Sequence, residues 1–215
     1  MATYLQLVNA TLARLRESSV ATVATTTYAT LIGKFVNDAK RQVEDAWNWD
    51  ILAQVLTVTT SSGTSTYTVT SSGLSPRDAI INDTTNRVKL KNVPIQWIID
   101  QQQTTTVSNG IPVYYAWNGN DATDSKIELF PTPAGTYTLK VNVFVPQAVL
   151  AADATVLSIP FEAVEIGAYA RAITERGEDG GLLSTDAWAL YKTILADQIA
   201  LERGRFVEYD GFVPV

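Results

Sequence analysis

Two groups of residues invite a chemical reading. Asn118-Gly119-Asn120-Asp121-Ala122-Thr123-Asp124 gathers two carboxylates and two amides in one short stretch, and oxygen-rich loops of this kind bind calcium. The spacing does not match an EF-hand, however, and a polar hairpin loop needs the same residue types. Glu175, Glu178 and Asp179, with Arg176 between them and glycines after them, suggest a carboxylate pair of the kind that hydrolyses glycosides. Nothing else in the chain supplies a companion pocket, so a solvated loop between helices is the expectation. Ser61-Ser62-Gly63-Thr64 and Glu178-Asp179-Gly180-Gly181 carry glycine, but lack the strand, loop and helix order and the lysine that cradle a phosphate. The chain has no histidine and no cysteine. Ser-His-Asp and Cys-His triads, thiolate metal sites and disulfides are therefore excluded, and the usual general base near neutral pH is missing. The expectation is a protein that is not an enzyme and holds no metal or cofactor.

The elements that must position any site follow from periodicity. Leu5, Val8, Leu12 and Leu15 share one face of a helix from Thr3, a plausible N-cap, to Glu17. A second and longer helix, capped by Thr26 or Thr27, repeats Tyr28, Leu31, Ile32, Phe35, Ala39, Val43 and Trp47 at three- and four-residue spacing. On its polar face Lys40 and Glu44 stand one turn apart, a surface pair worth a few tenths of a kcal/mol. From Gln54 to Pro146 the period falls to two, in some six to eight short strands separated by turn residues. Val55 to Val69 reads as a hairpin around Ser61-Ser-Gly-Thr64, and Ala79–Asn82 with Arg87–Lys91 as a second one. Ile95–Ile99 reads as a strand or one helical turn. Pro112 to Phe161 gives three strands and then a helix start at Pro160. That helix is apolar on two faces, which predicts burial by more than one neighbour. It ends or breaks at Arg176–Gly181, and a last helix from Thr185 carries Trp188, Tyr191, Leu195 and Ile199 on one stripe.

Helices at both ends and strands between them predict an α+β fold. Residues 1–53 and 158–203 would form a helical bundle, 54–157 an inserted antiparallel β-sandwich or barrel, and 204–215 a C-terminal arm. Trp47 and Trp49, two apart at the helix-to-sheet junction, are expected to seal the seam between the two parts. The arm carries Phe206, Tyr209 and Phe212, unusual in a terminus that stays loose. Either they fold back on their own bundle, or they dock on a neighbouring subunit or partner.

The 215 residues suffice for one core or two small ones. With 46% hydrophobic and 18% charged residues the composition is that of an ordinary globular chain. No apolar run approaches the roughly 18 residues that span a bilayer. The first twenty residues lack the pattern of a secretory signal, so the protein is expected to stay where it is made. A net charge of −6 argues against a basic nucleic-acid or membrane surface.

The order strand, Leu129-Phe-Pro-Thr-Pro133 turn, strand, loop and Ile159-Pro160 helix, with Trp47-Asn-Trp49 ending a helix far upstream, resembles the adaptor proteins of short-tailed phages. These are also called tail tubular protein A or head-to-tail connector proteins. The resemblance implies a structural virion protein of the tail or neck, present in the host cytoplasm during assembly. It implies a homo-oligomeric ring of twelve that joins the capsid portal protein to the tail nozzle protein and extends the genome channel. DNA would pass without specific binding, which suits an acidic wall. It also implies that Phe206, Tyr209 and Phe212 lie toward the portal or between subunits. The alternative is a carbohydrate-binding β module of a tail or surface protein, with Tyr114, Trp97 and Trp117 as an aromatic platform. A wall-degrading hydrolase using Glu175 or Glu178 is a third reading.

Overall fold

The structure is a computed structural model that describes residues 2–104, 108–121, 123–177 and 182–205. The chain forms two compact units. One consists of Met1–Ile51 with Val149–Val215, the other of Leu52–Ala148.

The first unit is helical. Helix α1, Tyr4–Arg14, opens with a capping box in which the Gln6 N–H donates to the Thr3 hydroxyl and the Thr3 N–H donates to Gln6 Oε1. Helix α2, Thr27–Ala46, starts at Thr26, whose hydroxyl accepts from the Ala29 N–H at 3.0 Å. Ala29, Ile32, Val36, Ala39 and Val43 are buried along its apolar stripe. Its polar face is not wholly solvated: Lys40 and Glu44, 3.0 Å apart, are 4% and 1% exposed. This corrects the surface pair expected from sequence, because α2 is flanked by both α1 and α4. Helix α4, Phe161–Arg176, follows Pro160 and ends at Gly177, in the left-handed region at φ 63°, whose N–H donates to the Ile173 carbonyl. It lies between α1, α2 and α5, Leu182–Arg203. That position explains its two apolar faces and its small residues: Ala163, Gly167, Ala168, Ala170 and Ala172 are all buried. The segment from 149 to 159 also belongs to this unit. Leu150 exchanges hydrogen bonds with the Asn37 amide, and Tyr4 and Leu157 bond across to Thr155 and Ala2.

The second unit is a sandwich of two four-stranded sheets with a helix on one outer face. Strands β1 (Ala53–Thr59), β3 (Arg77–Asp83), β4 (Val88–Lys89) and β8 (Thr138–Phe144) form a sheet of order β1-β8-β3-β4. Strands β2 (Thr66–Val69), β5 (Lys91–Asn92), β6 (Tyr114–Asp121) and β7 (Asp124–Phe130) form a sheet of order β2-β7-β6-β5. Val58, Ile81, Leu139, Val141 and Val143 of one sheet share a buried core with Val69, Tyr115, Ile127 and Leu129 of the other. Alternation along β8 and β7 therefore places these side chains as a strand period requires. Two expectations are corrected. Val55 to Val69 is not a hairpin, since β1 pairs with β8 and β2 with β7, so the Ser61–Thr64 turn carries the chain from one sheet to the other. The pairing is also not antiparallel throughout, because β5 runs parallel to β6. The β3–β4 hairpin does form, closed by the Asp83 carboxylate, which accepts from the backbone of Thr85 and Asn86. The Ile95 segment is neither a strand nor a single turn but helix α3, Ile95–Thr104. It packs Ile98 against Ala116 and Phe130.

Candidate functional site

The oxygen-rich stretch at Asn118–Asp124 serves the local backbone. One Asp124 oxygen accepts from the Ser71 and Gly73 N–H groups at 2.9 and 2.8 Å. The Gly73 bond, followed by those from Ser71, holds the carboxyl below its ordinary range. Asp121 accepts from the Thr68 hydroxyl, and Asn118 donates to Glu128. Among the described residues no group of three His, Cys, Asp or Glu side chains is arranged to hold a metal ion. Glu178 and Asp179 of the second acidic group lie outside the described residues. Arg176 is committed elsewhere: it donates to the Tyr28 hydroxyl at 2.8 Å, to Glu17 at 2.5 Å and to the Leu15 carbonyl. It thereby ties the ends of α1 and α4 to the start of α2.

Sequence reasoning did not single out Glu128 on β7. Its side chain is 6% exposed and accepts from Thr66 at 2.5 Å, Asn118 at 3.1 Å and Gln102 at 3.2 Å. Burial pushes its carboxyl up, but the hydrogen bonds from Ser65, Thr66, Gln102 and Asn118 outweigh it and leave it below the ordinary range. The carboxylate thus gathers β2, β6 and α3 around β7. It is a structural hub held by neutral donors.

The aromatic platform does not assemble either. Trp97 lies 4.8 Å from Tyr114 at a tilt of 54° and edge-on to Phe130, in the cluster under α3. Trp117, three residues along β6 from Tyr114, packs against the inter-sheet core instead. Successive β6 residues face opposite sides of the sheet, so Tyr114 and Trp117 cannot share one flat surface. Trp49 is buried, and its indole N–H donates to the Val43 carbonyl at 2.8 Å. That bond fastens it to the end of α2 in its own unit, just after the half-buried Trp47. Phe206, Tyr209 and Phe212 lie outside the described residues.

What the helical unit does present is a run of recesses along α4 and α5. One, of about 490 Å³, lies among Trp49, Ile159, Pro160, Phe161, Glu202 and Arg205. Phe161 also borders a second, of about 330 Å³, with Ile166, Leu190 and Ile194. Arg14 joins the second to a third, of about 340 Å³, bordered by Arg16, Tyr169, Arg176 and Leu183. On α5 the stripe expected at Trp188 and Tyr191 is the one turned inward: Tyr191 is 2% exposed and meets Trp188 edge-on. A second stripe, Leu183, Leu190, Ile194 and Leu201, remains at the surface, and its three leucines are 57%, 46% and 67% exposed. Its seven-, four- and seven-residue spacing was the sequence signal for it.

The helical unit thus leaves a stripe of exposed leucines on α5 beside its recesses. The sequence as a whole decides the family: it matches the SU10 adaptor protein over residues 2–209. The chain belongs to the SU10 adaptor protein family. As a member of this phage adaptor family it is a virion component that works with structural partners and in oligomers. No individual curated protein matches this adaptor. None of the described helices of the adaptor is long and apolar enough to cross a membrane.

Proposed function

We propose that this adaptor forms a ring, of twelve subunits, that joins the capsid portal protein to the tail nozzle protein in the virion neck and extends the genome channel. The family match over residues 2–209 carries this reading. A net charge of −6 is consistent with it, since an acidic wall repels the DNA backbone and lets the genome pass unbound. The adaptor would accumulate in the host cytoplasm and join the capsid there. It is a non-enzymatic part, and Phe206, Tyr209 and Phe212 make its contact with the portal or with a neighbouring subunit.

Light scattering and electron microscopy of the purified adaptor, alone and mixed with portal rings, test the proposal. Rings of twelve attached to the portal are the expected result. A chain that remains monomeric and does not bind the portal would overturn it.

A further inference from the structure

We infer that β1 is a docking edge: it takes, as an added strand, an extended segment of a different virion protein that turns a carboxylate toward Lys140. The inference draws on the structural partners of the adaptor family and does not depend on the number of subunits in the ring.

The backbone of β1 is open on one side. Of the strands at the sheet edges, β2, β4 and β5 have four, two and two residues, whereas β1 has seven. The Val145 N–H donates to the Leu52 carbonyl and the Thr60 N–H to the Tyr137 carbonyl. In an antiparallel ladder the even-numbered residues between them therefore turn toward β8 and the odd-numbered ones away. Ala53, Val55, Thr57 and Thr59 thus direct their N–H and C=O groups outward, and none of these groups has a hydrogen-bond partner among the described residues. Native sheets blunt such an edge with a charge, a proline or a bulge. β1 has no charged residue and no proline, and its register with β8 runs unbroken from Ala53 to Thr59, while the β3–β8 and β6–β7 registers are each interrupted. An edge of this kind accepts a further strand through its main chain.

The charges beside the edge select the strand. The registers align Thr57, Lys140, Asn82 and Lys89 in one row across the outer face of the sheet, and Val55, Asn142 and Ile80 in the next. Neither row holds a carboxylate, although the chain has a net charge of −6. Asp83, which follows Asn82, is buried. The Lys140 ammonium reaches toward the edge, where it donates to the Thr57 hydroxyl at 2.8 Å. It forms no ion pair among the described residues. A strand added at the usual spacing of about 4.8 Å sets the side chain opposite Thr57 beside that ammonium. A carboxylate there completes an ion pair, and Val55 and Ile80, 62% and 46% exposed, offer apolar surface in the next row.

The occupant is a different protein. None of the chain's own edge strands, β1, β2, β4 and β5, contains Asp or Glu. Pairing β1 with β1 of a second copy about a two-fold axis would also bring two lysine rows together. The phosphates of DNA would meet the lysines, but they have no hydrogen to donate to the outward carbonyls.

The test uses the full chain and two labelled peptides, acetyl-Thr-Glu-Val-Glu-Val-Glu-Thr-amide and its counterpart with Lys in place of each Glu, together with a short DNA duplex. Fluorescence anisotropy measures affinity, and hydrogen exchange read by mass spectrometry locates the contact. The glutamate peptide is expected to bind several-fold tighter than the lysine peptide and to slow exchange in residues 53–59. Thr57→Pro removes an N–H that the β1–β8 ladder does not use, so this variant should melt close to the parent and bind the glutamate peptide about tenfold more weakly. Lys140→Glu should reverse the preference between the two peptides, a change that loss of folding cannot produce. Equal binding of the peptides, unaltered exchange in residues 53–59, or tighter binding of the duplex at that edge overturns the inference. A dimer of the adaptor alone that Thr57→Pro abolishes would put a second copy on the edge, and overturns it too. Rings that attach to the portal without any peptide binding would defeat this inference and leave the proposed function intact, whereas peptide binding by a chain that forms no ring would do the reverse.

Discussion

The Tyr191 ring of α5 stands 3.0 Å from the point where a Cβ on Gly167 of α4 would lie, and the Ala39 methyl of α2 stands 3.1 Å from the same point. Three helices therefore meet at a position with no room for a side chain. Gly167→Leu is expected to destabilise the protein by about 2 kcal/mol or more, because overpacking at a helix crossing must displace an aromatic ring or a helix. Urea denaturation of the variant against the parent chain measures this. An unchanged midpoint would show that α5 can shift away from α4 without loss.

The same tyrosine yields a prediction of the opposite sign. Its hydroxyl is buried without a hydrogen-bond partner among the described residues, and burial raises its pKa while the nearby Arg171 guanidinium opposes that rise. Tyr191→Phe removes a buried polar atom that makes no bond, so stability should stay level or rise by about 1 kcal/mol. A loss larger than that in a thermal melt would mean that an ordered water satisfies the hydroxyl.

Arg176 clasps three helices through one planar group, bonding Tyr28, Glu17 and the Leu15 carbonyl while its guanidinium lies 5.1 Å from the Tyr28 ring centre. Arg176→Lys keeps the charge but loses the fork and the stacking plane. A cost of about 1–2 kcal/mol is expected, close to that of Arg176→Ala. If the lysine variant melts with the parent, charge alone suffices at this corner.

Lys40 and Glu44 form an ion pair that water barely reaches. Removing one partner leaves the other charge buried, which costs about 3 kcal/mol or more. Lys40→Met should therefore destabilise the chain far more than a surface pair would, by an amount a denaturant titration resolves easily. A change of only a few tenths would return the pair to the surface class first expected for it.

Glu128 and Asp124 make the β unit sensitive to acid. Both carboxyls sit below their ordinary values of 4.5 and 3.8 in the folded chain. The stability they contribute is fully present above those values and is lost as the pH falls below them toward the folded-state pKa. Glu128→Gln should flatten the pH dependence of melting in that acid window, and it should also cost stability at neutral pH, where the carboxylate accepts bonds from Ser65, Thr66, Gln102 and Asn118. A variant whose melting curve keeps the parent's full slope in acid would exclude Glu128 as the source.

Much of this architecture was legible in the chain because it rests on local signals. The Thr3 and Thr26 caps, the α2 stripe, the three strands from Tyr114 to Phe144 and the start of α4 after Pro160 each announce themselves within a few residues. What was not legible depends on distant partners. Nothing between Val55 and Val69 tells β1 to pair with β8 and β2 with β7, because that choice is made about sixty to ninety residues later. Likewise the segment after Val149 resembles a loop, and its bonds to Asn37, Tyr4, Leu5, Val23 and Ala2 tie it to the helical unit. Lys40 and Glu44 misled because an ion pair at helical spacing looks the same whether its face is wet or dry. On α5 the stripe with Trp188 and Tyr191 stood out by its aromatics and is the inward one, while Leu183, Leu190 and Leu201 beside it are exposed.

The helical unit is assembled from the two ends of the chain, with residues 52–148 between them, and this fixes a timetable. At roughly 5–20 residues per second on the ribosome, α1 and α2 emerge several seconds before α4, the helix against which both must pack. The β unit, by contrast, is contiguous and has all its strands available before α4 is translated. Synthesis therefore favours a nascent chain in which the sandwich is complete while an amphipathic helix pair still waits for its partner, and during that interval the apolar stripes of α1 and α2 are the part of the molecule most in need of shelter.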